Sequence, residues 1–116
     1  LYNFSIDQFE NDLSSAITSI ESIIDKKIEI YRAPAFSITS KNTWVFDVLF
    51  KHGIRVDCSV FPAKRDFGGI DDFYSSKPSI IETSDNNVLK EFPINLFRTK
   101  FSHIIPVYFS PVSFRN

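Results

Sequence analysis

Apolar residues recur with a helical period over the first part of the chain. Ser5 is a typical N-cap residue, and Gln8 three positions later completes a capping box. The following apolar positions have the i, i+4, i+7 spacing of one helix face, and they are Phe9, Leu13, Ala16, Ile17, Ile20 and Ile24. The pattern predicts a helix over residues 5–25 that packs one face against a larger structure.

Two short strands and a second helix follow. Residues 28–31 alternate apolar and polar side chains, and the predicted strand ends before Pro34 because proline cannot extend a hydrogen-bonded ladder. Thr39 or Ser40 can cap a helix that runs to about His52, and Gly53 is a natural residue beyond its end. The apolar positions predicted for its buried face are Trp44, Val45, Val48 and Leu49. With a further strand at residues 54–57, the order of elements predicts an α/β fold with a parallel sheet.

The second half of the chain has weaker patterns. Residues 59–77 include Gly68 and Gly69 and predict an ordered loop, whereas residues 78–82 and 88–92 flank a polar turn and predict a hairpin. After Pro93 the aromatic residues have no clear period. The chain has 116 residues, and a complete (β/α)₈ barrel needs about 250. We therefore expect either a small open sheet or part of a barrel whose other strands lie outside this chain.

Composition narrows the classes of function. The chain has 13 Phe, 4 Tyr and 1 Trp, which supply core volume, and 13 basic against 14 acidic residues. No basic stripe supports binding to nucleic acid or to an anionic membrane. No apolar run is long enough to cross a bilayer. The single cysteine, Cys58, excludes an internal disulfide framework and fits a reducing compartment.

Arg32 is the first candidate for chemistry because it follows directly after a predicted strand. Its guanidinium has five donors in a fork that suits a carboxylate partner, and Pro34 stiffens the loop beyond it. A surface arginine beside a turn proline is the alternative interpretation of these residues taken alone.

Several motifs in a fixed order resemble the polysaccharide deacetylase (NodB-homology) family, particularly its bacterial branch linked to exopolysaccharide production. The resemblance covers roughly residues 9–95. Its motifs are Phe9, Asp12 and Leu13 in the first helix; residues 31–34 and 36–39; Trp44; His52 and Gly53; residues 56–62; residues 66–70; and residues 91–94.

This resemblance implies a portion of a distorted (β/α) barrel that hydrolyses the acetamide group of N-acetylated sugars in a polysaccharide. Family members bind zinc or another divalent metal through an aspartate and two histidines, and the metal activates a water. Arg32 matches the arginine that orients the catalytic aspartate, and Asp57 matches the aspartate that positions a late histidine. The N–H group of Ala35 matches an oxyanion donor. Pro34, Ala35 and Phe36 are therefore expected to contact substrate.

The family's metal-binding motifs are absent from this sequence. His52 and His103 are its only histidines, and their spacing is not that of paired ligands. We expect His52 to compensate a helix dipole and His103 to lie at the surface. Asp71 and Asp72 are expected to be solvated loop charges, and Cys58 a small buried side chain rather than a nucleophile.

Three hypotheses follow. The first is that residues 1–116 form one partial domain, the middle to C-terminal part of a metal-dependent deacetylase barrel whose partner is an N-acetylated polysaccharide. The chain would then hold no metal, and the complete protein would bind it. The second is a non-catalytic, deacetylase-like module that binds a glycan or a protein. The third is an unrelated small α/β domain.

Overall fold

A four-stranded mixed sheet and two helices make up most of the computed structural model of the chain, which describes residues 3–73, 75–98 and 104–106. The fold is a small mixed α/β domain. Its helices are α1 (Ile6–Ile24) and α2 (Trp44–Lys51), and its strands are β1 (Ile30–Tyr31), β2 (Val56–Asp57), β3 (Ser79–Glu82), β4 (Val88–Glu91), β5 (Leu96–Arg98) and β6 (Ile104–Pro106).

The sheet has the spatial order β1-β2-β4-β3. β1 pairs with β2 and β2 with β4 in parallel, whereas β3 and β4 form an antiparallel hairpin. The register places Tyr31 opposite Asp57, and Asp57 opposite Glu91, in one row across three strands. The predicted hairpin and the predicted parallel pairing of the first two strands are confirmed. β5 and β6 form a separate antiparallel pair that the sequence pattern did not predict.

The capping box of α1 is present. Gln8 N donates to Ser5 Oγ at 3.2 Å, and Ser5 N donates to Gln8 Oε1 at 2.9 Å. The predicted burial of the helix face is correct only for its first half. Phe9 and Leu13 are buried, whereas Ala16, Ile20 and Ile24 are exposed. The apolar face of the second half of α1 is therefore largely exposed to solvent.

The second helix begins later than the sequence predicted. Thr39 does not cap it, because Thr39 N donates to the Asn42 side chain at 2.6 Å and closes a separate turn at residues 39–42. α2 begins at Trp44 and ends at Lys51, His52 is its C-cap, and Gly53 follows with a φ of 90°. The residues buried in α2 are Val45, Phe46, Val48 and Leu49, while Trp44 is only partly buried.

The core lies between the two helices and one face of the sheet. Its buried apolar residues are Phe9, Leu13, Ala33, Ile38, Val45, Phe46, Val48, Leu49, Ile54, Val60, Ile70 and Leu89. This core joins the loops after β1 and β2 to both helices, so it fixes the edge of the sheet that carries the candidate site. Neither α1 nor α2, the α-helices among the described residues, is long and apolar enough to span a membrane.

Candidate functional site

Arg32 and Cys58 lie side by side at one edge of the sheet, because they follow directly after the parallel neighbours β1 and β2. Arg32 Nε donates to the Cys58 carbonyl oxygen at 3.2 Å. The guanidinium carbon lies 5.6 Å from the centre of the Phe36 ring. Arg32 is exposed, and no described carboxylate lies within ion-pair distance of it. The guanidinium is thus held at the sheet edge with donors available to a further partner.

The turn Pro34–Phe36 follows Arg32 and has an unusual backbone. Ala35 and Phe36 have φ angles of 52° and 51°, in the left-handed region that non-glycine residues rarely adopt. Such residues cost about 1–3 kcal/mol each and cluster at functional sites. Pro34 and Ala35 are exposed, and Phe36 is half-buried with its ring centre 6.3 Å from that of Phe61. All three residues predicted to contact substrate therefore lie beside Arg32.

Asp57 is fully buried and connects two loops. Its Oδ1 accepts a hydrogen bond from Ser59 Oγ at 2.6 Å, and its Oδ2 accepts one from Ser59 N at 2.9 Å. Ser59 Oγ in turn accepts a hydrogen bond from Ala33 N at 2.7 Å. The carboxylate thus holds the loop after β2 against the loop after β1. Because it has no exposure to solvent, Asp57 acts on the Arg32 loop through Ser59 rather than by touching a ligand.

Glu91 is a second buried carboxyl group and lies opposite Asp57 in the sheet register. Its Oε1 accepts a hydrogen bond from Val60 N at 3.1 Å, whereas Oε2 is buried without a donor. A buried carboxylate oxygen without a donor is unfavourable. A proton on Glu91 removes this cost, because the neutral acid can donate a hydrogen bond to Asp57. Burial, followed by the hydrogen bond and the negative charge of Asp57, raises the pKa of Glu91 to about 10.

Glu91 is therefore protonated at neutral pH, although the nearby charge of Arg32 lowers its pKa slightly. In the sequence, Glu91 is notable only as part of the motif at residues 91–94. No alternation of apolar and polar residues in β4 could have found it, since Leu89 and Glu91 are buried whereas Val88 and Lys90 are exposed.

His52 has a structural partner. Its Nε2 lies 2.8 Å from Glu10 Oε1, and Lys51 Nζ contacts the same carboxylate oxygen, so this group links α2 to α1. The hydrogen bonds from Lys51 and then from His52 lower the pKa of Glu10. The dipole interpretation of His52 is therefore incomplete, since a hydrogen-bond contact with Glu10 of α1 also holds its ring. His103 lies outside the described residues.

The remaining candidates have no catalytic setting. Asp71 and Asp72 are exposed in a loop, as predicted. Cys58 is partly rather than fully buried, and burial raises the pKa of its thiol, which disfavours the nucleophilic thiolate.

The described residues do not fit a resident metal. They contain no group of three or more His, Cys, Asp or Glu side chains that could hold an ion. Comparison of the chain with protein-family models, with curated proteins and with solved structures finds no match.

Proposed function

We propose that this chain is part of a metal-dependent polysaccharide deacetylase, which hydrolyses the N-acetyl group of amino sugars in a glycan. The observation that carries the proposal is the position of Arg32. An exposed guanidinium, anchored through Nε to a backbone carbonyl at the edge of a parallel sheet, can grip and orient a carboxylate that acts as a base. The motifs of the sequence support the same assignment.

The Pro34–Phe36 turn adds a second supporting feature. The left-handed conformation of Ala35 redirects the backbone beside Arg32 and exposes the residue whose N–H group would stabilise an oxyanion in acyl chemistry. Asp57 and Ser59 hold this loop in place through Ala33. The residues of this chain therefore orient the base and stabilise charge on the substrate, and other residues would have to supply the ligands of the metal.

The sheet is, in this proposal, a portion of a distorted (β/α) barrel. β1 is an edge strand whose outer side pairs with no described residue, and Ile30 in it is 64% exposed. Edge strands with exposed apolar residues are ready templates for further pairing.

Arg32 variants of the full-length polypeptide test this function. Arg32→Lys keeps the charge but loses the fork, so we expect the rate of amine release from N-acetylglucosamine oligomers to fall about a hundredfold. Arg32→Ala should lower the rate further. Metal content and the thermal unfolding midpoint should stay unchanged, because Arg32 is exposed and makes one backbone contact.

Arg55→Lys is the matched control. Arg55 also donates to backbone carbonyls and stacks on a phenylalanine ring, but it precedes β2 and lies at the opposite end of that strand from Arg32. Its replacement should leave the rate unchanged. Equal rates for wild type and Arg32→Ala, at equal metal content, would refute the proposal.

A glycan-binding module without catalysis is the second candidate. The complete burial of Asp57 favours this candidate, because a carboxylate with no exposure to solvent cannot touch a ligand and has a structural role here. Binding of N-acetylglucosamine oligomers with no amine release in wild type would select this candidate.

A further inference from the structure

A cleft of about 660 Å³ lies between the turn at residues 39–42 and the loop at residues 64–69. Its volume is typical of sites that bind small molecules, which measure about 300–1,000 Å³. It is lined by Trp44, by the polar residues of the turn and by three cationic side chains, Lys41, Lys64 and Arg65.

The charge of the cleft differs from that of the chain. Three cationic side chains line it against one carboxylate, that of Asp71, although the whole chain has a formal net charge of −1. Within the described ranges none of the three cations forms an ion pair. Unpaired cations around a concave site attract an anionic group.

Hydrogen bonds and close backbone packing hold the walls of the cleft together. Asn42 Oδ1 accepts hydrogen bonds from Thr39 N at 2.6 Å and from Thr39 Oγ1 at 3.3 Å. Thr39 also forms an isolated parallel bridge with Gly69, which joins the two walls. A Cβ atom at Gly68 would lie 2.0 Å from the Phe36 carbonyl oxygen, so this loop packs directly on the neighbouring backbone. A preformed cleft has a lower ordering cost on binding.

Trp44 gives the cleft an aromatic wall. Its indole is half-buried, with its ring centre 5.6 Å from that of Phe9 in an edge-to-face arrangement that fixes its orientation. Thr39 and Ser40, which both carry hydroxyl groups, belong to the same lining. An aromatic surface beside hydroxyl groups suits a ligand with both C–H faces and hydroxyl groups, which is the chemistry of a sugar.

The cleft adjoins the candidate site through Arg65. Its Nη1 donates to the Ala35 carbonyl oxygen at 3.0 Å, and its guanidinium carbon lies 4.6 Å from the centre of the Phe61 ring. The cleft and the Pro34–Phe36 turn therefore share a wall, and a polymer that reaches one can continue into the other.

We propose that this cleft binds a carboxylated sugar, a hexuronate residue, in the glycan chain next to the sugar that is deacetylated. The assignment of the ligand as part of a glycan rests on the proposed function. The cations Lys41, Lys64 and Arg65 receive the carboxylate, and Trp44 packs against the sugar ring.

Trp44 provides the measurement, because it is the only tryptophan of the chain. Titration with a hexuronate oligosaccharide should change the Trp44 fluorescence saturably, and added salt should weaken the binding. The same oligosaccharide with its carboxylates reduced to alcohols should bind about tenfold more weakly. Equal affinity for the reduced oligosaccharide, or no saturable change with the acidic one, would overturn the assignment. Inorganic phosphate that binds as tightly as the saccharide would show a general anion site instead and would also overturn it.

Variants locate the ligand in the cleft. The double variant Lys41→Gln, Lys64→Gln should bind the acidic oligosaccharide about tenfold more weakly. The matched control is Lys26→Gln with Lys90→Gln, which removes the same charge at two exposed lysines outside the cleft and should leave the affinity unchanged. Equal losses in the two double variants would show that only the net charge matters and would refute the site.

This experiment separates the two proposals, since the hexuronate probe has no N-acetyl group. If Arg32-dependent deacetylation is found but the acidic saccharide does not bind, only the assignment of the cleft fails. If the saccharide binds through Lys41 and Lys64 but no deacetylation is found, the cleft stands and the deacetylase proposal fails.

Discussion

At the scale of single residues, the carboxyl groups of Asp57 and Glu91 differ in the hydrogen-bond donors that surround them. Asp57 is satisfied as an anion by two donors from Ser59. Glu91 is satisfied only as an acid, because its Oε2 is buried and has no donor. Two similar side chains in one row of the sheet thus meet different hydrogen-bonding surroundings, and those of Glu91 favour its neutral form.

Glu91 should make stability depend on pH. Its pKa is about 10 in the folded chain against 4.5 as the ordinary value, so the folded state keeps a proton that the unfolded state releases. Its contribution to stability is complete below the unfolded pKa and is lost as the pH rises towards 10, by up to about 1.4 kcal/mol per pH unit. Glu91→Gln keeps a donor to Asp57 without a titrating proton, and urea unfolding between about pH 5 and about pH 9 should show a shallower fall.

Glu82→Gln is the control for this experiment. Glu82 is exposed in β3, next to β4, so its replacement should keep the wild-type dependence on pH. The same pH dependence in Glu91→Gln as in wild type would show that Glu91 is ionised in the folded chain.

The sequence predicted that Arg32 follows directly after a strand, but it did not predict that Asp57 lies beside Glu91. Arg32 follows a strand, and a strand end is visible in the alternation of residues. The pairing of Asp57 with Glu91 joins residues 34 positions apart through the parallel contact of β2 with β4. Local patterns do not contain that register, because it depends on β4 lying beside β2, which is a contact between distant parts of the chain.

At the scale of elements, close backbone packing sets the position of the Pro34–Phe36 turn. Gly68 and Gly53 both have a positive φ, of 82° and 90°, but a Cβ at Gly53 would meet nothing within 4 Å. Gly53→Ala should therefore lower the free energy of unfolding by about 1 kcal/mol, the strain of the conformation alone. Gly68→Ala should cost about 1–3 kcal/mol more, because the Phe36 carbonyl must move.

Denaturant unfolding of the two variants measures this difference, and tryptophan fluorescence adds a second signal. Gly68→Ala should also change the emission of Trp44, since both residues line the cleft, whereas Gly53→Ala should not. Equal stability of the two variants would contradict the packing of Gly68 on the turn.

The elements themselves were predictable to different degrees. α1 was predicted almost to its limits, because its capping box and its apolar period are local features. The predicted start of α2 was wrong. Thr39 is a residue type that often caps helices, but its N–H group donates to the Asn42 side chain in a separate turn. β5 and β6 pair through their backbones, and the aromatic-rich sequence around them has no alternation that indicates it.

At the scale of the whole molecule, large apolar side chains are exposed on the second half of α1 and on the edge strand β1. Ile20, Ile23 and Ile24 are 44%, 82% and 46% exposed, and Ile30 is 64% exposed. Exposed apolar surface of this kind mediates association between proteins. We therefore expect the isolated chain to self-associate, with a sedimentation coefficient that rises with concentration.

The variant Ile20→Lys, Ile24→Lys should suppress this association. The control Ser15→Lys, Ser19→Lys adds the same charge at exposed positions on another face of α1 and should suppress it less. A monomeric wild type over the full concentration range would contradict the expectation.

The cleft has a consequence for how the protein can diverge. A side chain at Gly68 or Gly69 would collide with backbone at 2.0 Å or 2.2 Å, so these two positions admit almost no substitutions. Lys41 and Lys64 are exposed on the same cleft, and substitutions at exposed positions cost little stability. Descendants of this chain can therefore exchange one ligand charge for another by single codon changes at the rim, while the same fold is inherited unchanged.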